Sequence, residues 1–146
     1  MKFENYMLLE FPSKSVNEGF ARSAVAAFAS QMDPTIEEIG DIKTAVSEAV
    51  TNCIIHAYED KIGIIYITVK YSEDGVVTVK IRDKGKGIEN IEKAMEPLFT
   101  TGGSERAGLG FAVMQSFCTS VKVSSKLGKG TTVTLKKKIK RRPIGE

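Results

Sequence analysis

Two pairs of β-branched segments, each joined by a short glycine-containing turn, constrain the fold of this chain more than any other feature. Segments 64–71 and 76–81 surround the turn Ser-Glu-Asp-Gly, and segments 121–125 and 131–139 surround the turn Leu-Gly-Lys-Gly. Runs of this kind on both sides of a polar turn are typical of β-hairpins. Together with a short strand at 6–11, they predict a largely antiparallel sheet.

Helical periodicity occupies much of the chain between these strands. Apolar residues recur at helical spacing over 16–32 and from 34 to about 58, with Asp33 as the predicted N-cap of the second helix and Pro34 at its first position. Shorter helices are predicted at 89–95 and 109–117, the first of them within a glycine-rich loop at 84–108. This order predicts one α+β domain over residues 1–146, a two-layer α/β sandwich with helices on one face of a mixed, mostly antiparallel sheet.

Composition excludes several classes of protein. The chain has 146 residues, 42% hydrophobic and 27% charged, which is typical of a soluble domain with one core. A net charge of +3 is too small to indicate nucleic-acid binding. No stretch approaches the roughly 20 apolar residues that span a membrane, and the N-terminus lacks a signal-like run. Cys53 and Cys118 lie far apart within apolar patterns and are predicted to be reduced, so we expect a cytoplasmic protein.

The polar pair Glu48-x-x-x-Asn52 lies one turn apart on the long predicted helix. Spacing of four puts both side chains on the same face, opposite the apolar stripe. A solvated polar face is one interpretation of this pair. The other is chemical: an amide oxygen suits Mg²⁺, which prefers oxygen ligands, and a carboxylate one turn earlier can accept a proton from an attacking hydroxyl.

A second motif, Asp83-x-Gly85-x-Gly87, follows directly after a predicted strand. An aspartate before a glycine commonly starts a turn, but a carboxylate at this place also suits the exocyclic amine of adenine, because it only accepts hydrogen bonds. The two glycines either supply positive φ angles or clear room for a purine ring. Thr131, after the glycines of the last turn, is a candidate to bind the base beside Asp83.

Gly108-Leu109-Gly110 opens the fourth predicted helix and is expected to form its N-terminus. Free backbone N–H groups there attract anions, so this run is a candidate phosphate cradle as well as an ordinary loop-to-helix junction. The glycine-rich stretch before it, which contains Thr100 and Thr101, is a candidate lid over a nucleotide. Arg106 is a candidate contact to the terminal phosphate.

The ordered set of these motifs resembles the ATP site of the superfamily that includes gyrase, the ninety-kilodalton heat-shock chaperone, histidine kinases and mismatch-repair ATPases. A P-loop, a complete dinucleotide fingerprint and zinc-ligand spacing are all absent from the sequence. The amino-acid sequence in segments 17–22, 47–52, 56–58 and 97–101 is similar to that of the sporulation anti-sigma F factors, small serine kinases of this superfamily. The resemblance implies the Bergerat ATP-binding fold.

The resemblance also implies roles for individual residues. Glu48 would be the general base, Asn52 the Mg²⁺ ligand, and Asp83 with Thr131 the adenine site. Arg22 would contact two protein partners, a sporulation sigma factor and an anti-anti-sigma protein that is phosphorylated on serine with ATP and leaves ADP. A homodimer is implied as well. One departure is the short Gly-Gly-Ser segment at 102–104, where relatives commonly have a longer and more charged stretch.

Four alternatives remain open at the level of sequence. The first is an anti-sigma kinase of the general stress-response type, and the second is an ATP-sensing module without catalysis. The third is a detached histidine-kinase catalytic domain, although the chain has a single histidine, His56, which we interpret as structural. The fourth is nucleic-acid binding by the basic segment 136–142, which acidic residues elsewhere nearly balance. We therefore expect neither a nucleic acid nor a membrane as partner.

Overall fold

The computed structural model of the chain describes residues 3–95 and 105–140, with the backbone alone for residue 3 and residues 105–109. A sheet of five strands and a layer of helices make up these residues. The strands are β1 (Phe3–Pro12), β2 (Ile64–Ser72), β3 (Val76–Asp83), β4 (Ser120–Lys126) and β5 (Gly130–Lys138). Their order in the sheet is β1-β2-β3-β5-β4, and each of these neighbouring pairs is antiparallel. The predicted two-layer α+β fold and both hairpins are confirmed.

The helices are α1 (Asn17–Ala29), α2 (Ile36–Asn52), α3 (Ile91–Met95) and α4 (Glu105–Phe117). A 3₁₀ turn, Ser30–Met32, follows α1, and a π-helical turn, Cys53–Ala57, follows α2. The sequence therefore predicted four helices in the right order, but periodicity did not show that both long helices change their winding before they end. In the described part of the chain, no helix has both the length and the apolar character needed to cross a bilayer.

The start of α2 differs from the prediction. Asp33 is not its N-cap: it has a φ of +55° and ends the preceding 3₁₀ turn. The cap is Thr35, whose hydroxyl accepts a hydrogen bond from the Glu38 N–H at 3.1 Å, while the Glu38 carboxylate accepts one from the Thr35 N–H at 2.8 Å. This reciprocal pair is a capping box, and its Thr-x-x-Glu signature was available in the sequence.

Replacing Thr35 with alanine should lower the free energy of unfolding by about 1 kcal/mol, because the Glu38 N–H loses its acceptor at the exposed start of α2. Urea denaturation followed by circular dichroism measures this change. Thr35→Ser is the matched control, since serine keeps the capping oxygen and should remain close to the unchanged chain. Equal stability of the alanine and serine variants would show that the capping box contributes nothing.

The core lies between the helix layer and one face of the sheet. Val25 of α1 and Val46 and Val50 of α2 are fully buried there, against strand residues such as Ile67 and Ile81. Alternation along the strands puts these isoleucines on the helix side and leaves the other sheet face uncovered by the described helices. Since Asp83 ends β3 on the same side as Ile81, its carboxylate points toward the end of α2 rather than into solvent.

Candidate functional site

The polar pair of α2 lies beneath α4. A Cβ atom placed on Gly110 would be 3.2 Å from the Asn52 Nδ2 atom and 3.4 Å from the Glu48 Oε2 atom. Glycine at this position therefore lets α4 pack directly on both side chains. The solvated-face interpretation holds only in part, because α4 packs on a face that the sequence pattern alone marks as exposed and leaves both residues half-buried.

The amide atoms of the Asn52 side chain are buried without a hydrogen-bond partner among the described residues. Neither its Oδ1 nor its Nδ2 atom has one among the described residues. A buried polar group left unpaired costs about 1–3 kcal/mol, so such an amide is expected to meet a ligand. Its carbonyl oxygen is a suitable Mg²⁺ ligand. The described residues hold no group of three or more His, Cys, Asp or Glu side chains placed to bind a metal, so any Mg²⁺ here would also need phosphate and water oxygens.

The helix changes winding immediately after Asn52. The sequence predicted a continuous helix to about residue 58, but the α-helical part ends at Asn52 and a single π turn covers Cys53–Ala57. Turns of this kind are frequent at functional sites, because the extra residue re-aims the side chains around it. Cys53 and His56 both line the same cavity as Asn52.

The Asp83 carboxylate is held in one orientation. It is 5% exposed, and its Oδ1 atom accepts hydrogen bonds from the N–H groups of Gly85 at 2.9 Å and Thr131 at 3.2 Å. The Cys53 thiol, 3.5 Å away, donates to Oδ2. Burial raises the pKa of Asp83, and these three hydrogen bonds offset part of that rise. Because two backbone groups occupy Oδ1, Oδ2 is the oxygen left to accept from a ligand.

The glycines after Asp83 serve close backbone packing. A Cβ atom on Gly85 would lie 2.3 Å from the carbonyl oxygen of Ala57, and one on Gly87 would lie 2.3 Å from the carbonyl oxygen of Lys126. Gly87 also has a φ of +80°, which confirms the first interpretation for that residue. The loop is therefore fixed between the end of α2 and the β4–β5 turn, which closes one side of the cavity.

These elements enclose a cavity of about 390 Å³, a size typical of small-molecule sites. Its polar lining includes Asn52, Asp83 and Thr131, which come from α2, β3 and β5. Its apolar lining consists of Ala49, Ala57, Ile88, Ala94, Phe111, Leu127 and Val133. Such a cavity can hold a flat heterocycle against apolar walls while carboxylate and hydroxyl oxygens contact its edge.

Glu48 belongs to a neighbouring groove of about 320 Å³. This groove also contains Arg22 of α1, together with Gly40, Lys43, Thr44 and Ser47 of α2. Glu48 and Asn52 lie within 3.4 Å of the same Cβ position on Gly110. The carboxylate in the groove is therefore next to the amide in the cavity, so a hydroxyl brought along the groove would reach the place where a nucleotide phosphate would meet Asn52.

The remaining predicted residues are described in part or not at all. Thr100 and Thr101 lie outside the described residues. Arg106, Gly108 and Leu109 lie on the backbone of α4, which begins at Glu105. The predicted helix start at residue 109 was therefore wrong by four residues, and Gly108, which was predicted to precede the helix, lies within it. The prediction failed because the glycine-rich stretch up to residue 108 was interpreted as loop, whereas α4 begins within it; Gly110, inside the predicted helix, is needed for the contact with α2.

Sequence reasoning missed several polar residues of the site, including Lys86 and Glu89 of the cavity lining. Ser125 of β4 has its hydroxyl 2.8 Å from the Thr131 Oγ1 atom, at the edge of the cavity. Strand alternation could have found it, because Ser125 has the same parity as Val121 and Val123, which pack against the core. The two thiols agree with the prediction, since Cys53 and Cys118 are free, the first buried and the second half-buried.

Comparison with known proteins adds three findings. The histidine kinase-like ATPase domain family matches residues 11–137. An anti-sigma F factor of Caldanaerobacter subterraneus subsp. tengcongensis is 62% identical over 142 residues, which cover 97% of this chain and 99% of that protein. A crystal structure of RsbU and RsbW domains from Mycobacterium tuberculosis is similar with a TM-score of 0.68 at 18% identity, over 92% of this chain and 32% of that one.

A further solved structure, full-length ShkA in complex with AMPPNP, is similar with a TM-score of 0.58 at 20% identity, over 91% of this chain and 32% of that one. At these identities the two structural likenesses show a shared fold. The sequence relative, which is matched along nearly its whole length, shows a closer kinship.

Proposed function

The chain belongs to the anti-sigma F factors of the histidine kinase-like ATPase family, and from this premise we propose that it is an ATP-dependent protein serine kinase that also binds and inhibits a sporulation sigma factor. The observation that carries the proposal is the buried, unpartnered Asn52 amide, which adjoins Glu48 and shares a cavity with Asp83. The name of the relatives favours a sporulation sigma factor over a stress-response partner.

ATP is the proposed occupant of the 390 Å³ cavity. The Asp83 Oδ2 atom accepts a hydrogen bond from the adenine amine, with Thr131 beside it, while Gly85 and Gly87 fix the loop that carries this contact. The Asn52 carbonyl oxygen holds Mg²⁺, which when bound neutralises charge on the phosphate oxygens. The AMPPNP bound to ShkA supports the view that this fold accepts an ATP analogue.

The phosphate end of the nucleotide lies toward α4 in this proposal. Gly108, Leu109 and Gly110 border the phosphates through the surface of α4 rather than through free N–H groups, since they lie inside the helix. Arg106 contacts the terminal phosphate, and Thr100 and Thr101 belong to the segment that closes over it. The nearness of Gly110 to Asn52 supports this arrangement, because it brings the first half of α4 to the proposed Mg²⁺ ligand.

Glu48 is the proposed general base. Its carboxylate accepts the proton of a serine hydroxyl on an anti-anti-sigma protein as the serine oxygen attacks the γ-phosphorus of ATP. The bond between that phosphorus and the β,γ-bridging oxygen breaks, and ADP is the leaving group. A sensor that only bound ATP would need no carboxylate at this place, so Glu48 favours catalysis over passive sensing.

Protein partners are proposed to bind on the side of the molecule where α1 and the groove meet. Arg22 lines the groove that contains Glu48, and Phe20 on the same helix is 53% exposed. Exposed aromatic residues and arginines are both typical of the residues that anchor protein interfaces. The sigma factor and the anti-anti-sigma protein would share this surface, which lies outside the nucleotide cavity.

A homodimer in the cytoplasm completes the proposal. Edge strand β1 carries Tyr6 and Leu8, which are 64% and 72% exposed. Apolar side chains on an edge strand are a suitable surface for a second copy.

Incubation with γ-labelled ATP, Mg²⁺ and a candidate anti-anti-sigma protein tests the proposed activity. We expect label on a serine of the partner and release of ADP. Nucleotide-dependent partner binding without transfer of label would instead identify a non-catalytic sensor and overturn the kinase proposal.

Arg22→Ala should weaken binding of both protein partners about tenfold or more, as expected for an interface anchor, and should leave ATP affinity unchanged because Arg22 lies outside the nucleotide cavity. Pull-down and calorimetric titration measure the two effects. Arg82→Ala, on the opposite side of the sheet, is the matched control for loss of an exposed arginine. Normal binding of both partners by Arg22→Ala would remove this residue from the proposed surface.

A further inference from the structure

Ser125 connects three segments at the edge of the nucleotide cavity. Its Oγ atom accepts a hydrogen bond from the Ile88 N–H at 2.8 Å, donates one to the Gly130 carbonyl oxygen at 3.0 Å, and lies 2.8 Å from the Thr131 Oγ1 atom. Ile88 belongs to the loop after Gly87, and Gly130 and Thr131 begin β5. One hydroxyl group therefore joins β4, β5 and that loop.

The direction of the proton between Ser125 and Thr131 follows from these contacts. A serine hydroxyl has one proton and two lone pairs. The Gly130 carbonyl oxygen can only accept, so the Ser125 proton is directed to it, and the Ile88 N–H takes one lone pair. The second lone pair is left for the proton of Thr131. This arrangement satisfies all three contacts, whereas the reverse direction would leave two acceptor oxygens 3.0 Å apart without a proton.

Thr131 consequently presents only an acceptor to the cavity. Asp83, its partner across the β3–β5 ladder, presents a second acceptor, the Oδ2 atom. Two acceptors that line the same cavity match an amino group, which has two protons to donate, and repel a carbonyl oxygen. The aspartate alone would discriminate less, because a 6-oxo purine also carries an N–H donor on that edge of the ring.

We propose that Ser125 is a positioning residue that directs the Thr131 hydroxyl proton away from the cavity and thereby makes the site selective for 6-amino over 6-oxo purine nucleotides. This inference rests on the proposed ATP site and adds the origin of its base selectivity. Ser125 acts through Thr131 and need not touch the nucleotide.

The test compares ATP with inosine triphosphate, in which a carbonyl replaces the 6-amino group. Dissociation constants of both Mg-nucleotides are measured by calorimetry on the full chain. In Ser125→Ala the Thr131 hydroxyl can rotate and donate to the 6-oxo group, so the preference for ATP should fall roughly tenfold, the scale of one hydrogen bond. Ser124→Ala is the matched control, because Ser124 is exposed on the other face of β4 and should keep the original preference.

If the role of Ser125 were purely structural, Ser125→Ala would weaken the binding of both nucleotides equally. An unchanged ratio of the two dissociation constants in Ser125→Ala therefore overturns the inference. Thr131→Val, which removes the acceptor itself, should lower the ratio by a similar factor. The double variant should show no further loss, because Ser125 acts through Thr131. A further fall in the double variant, equal to that in Ser125→Ala, also overturns it.

The unchanged chain separates this inference from the proposed function. If it binds neither nucleotide, the ATP site itself is wrong and the inference falls with it. If the unchanged chain binds ATP more tightly than inosine triphosphate, the ATP site stands, and the Ser125 variants alone decide whether the inference is right.

Discussion

Glu48→Gln should bind ATP as tightly as the unchanged chain but transfer phosphate to the partner serine at a rate lower by a factor of about 10² or more, the scale of a lost general base. Glutamine has almost the same shape as glutamate, so its contact with α4 at Gly110 is retained. It cannot accept the serine proton. Asp83 and Asn52, which hold the nucleotide in this proposal, are unchanged by the substitution.

The measurement is the initial rate of serine phosphorylation at saturating ATP, together with ATP affinity by calorimetry. Glu37→Gln is the matched control, because Glu37 is exposed in the first turn of the same helix and should leave both quantities unchanged. Turnover by Glu48→Gln at the rate of the unchanged chain would show that another group removes the proton. A loss of ATP affinity equal to the loss of rate would assign Glu48 to binding.

Asp83→Asn should weaken ATP binding by about 1.5–3 kcal/mol, the value of a hydrogen bond to a charged group. The side-chain oxygen of asparagine can still accept from the N–H groups of Gly85 and Thr131, as the Oδ1 atom of Asp83 does. Its amino group then replaces the Oδ2 atom and meets the adenine amine, donor against donor. The substitution therefore replaces the acceptor that faces the ligand with a donor. It keeps the oxygen that accepts from Gly85 and Thr131.

Stability measurements separate this effect from a defect in folding. Burial raises the pKa of Asp83, with hydrogen bonds offsetting part of the rise. A raised pKa means that the protonated form is the one favoured by folding. The contribution of Asp83 to the free energy of unfolding is therefore complete below the ordinary pKa of the carboxyl group. It is lost as the pH rises through the raised pKa. At neutral pH the ionised group does not stabilise the empty chain, so Asp83→Asn should not lower its free energy of unfolding.

Calorimetric titration with ATP and urea denaturation at neutral pH check the two parts of this prediction. Asp60→Asn is the control for an exposed carboxylate changed to an amide. Unaltered ATP affinity in Asp83→Asn would mean that the base is held elsewhere. Reduced affinity with an equal fall in stability would make Asp83 a structural residue, contrary to the proposal.

Local pattern was sufficient to predict most of the architecture. β-branched runs around polar turns predicted the two hairpins, and apolar spacing predicted the helices, because these signals depend on neighbours in sequence. One error was local, since Asp33 was predicted as the N-cap of α2 although the Thr35–Glu38 capping box lies two residues later. Another arose where the described contacts of a helix involve a distant segment. The glycine-rich stretch before residue 109 was interpreted as loop, but α4 begins at Glu105 and packs on the polar pair of α2 where Gly110 has no side chain.

The site shows the same division. Sequence order and spacing named Glu48, Asn52 and Asp83 as candidates, since motif order can be recognised without coordinates. It could not show that the Asn52 amide is buried without a partner, or that two backbone N–H groups fix one oxygen of Asp83. It also missed Ser125, whose importance comes from three contacts with residues on neighbouring segments.

The amino-acid sequence by itself determined the order of strands and helices, the family to which the chain belongs, and the residue types available for chemistry, because periodicity and motif spacing are properties of a linear pattern. Only the tertiary structure decided which oxygen of Asp83 faces the cavity, which groove receives Glu48, and which groups the Ser125 hydroxyl joins. Each of these depends on atoms from segments far apart in the chain, and their contacts exist only after the helix layer and the sheet have packed together.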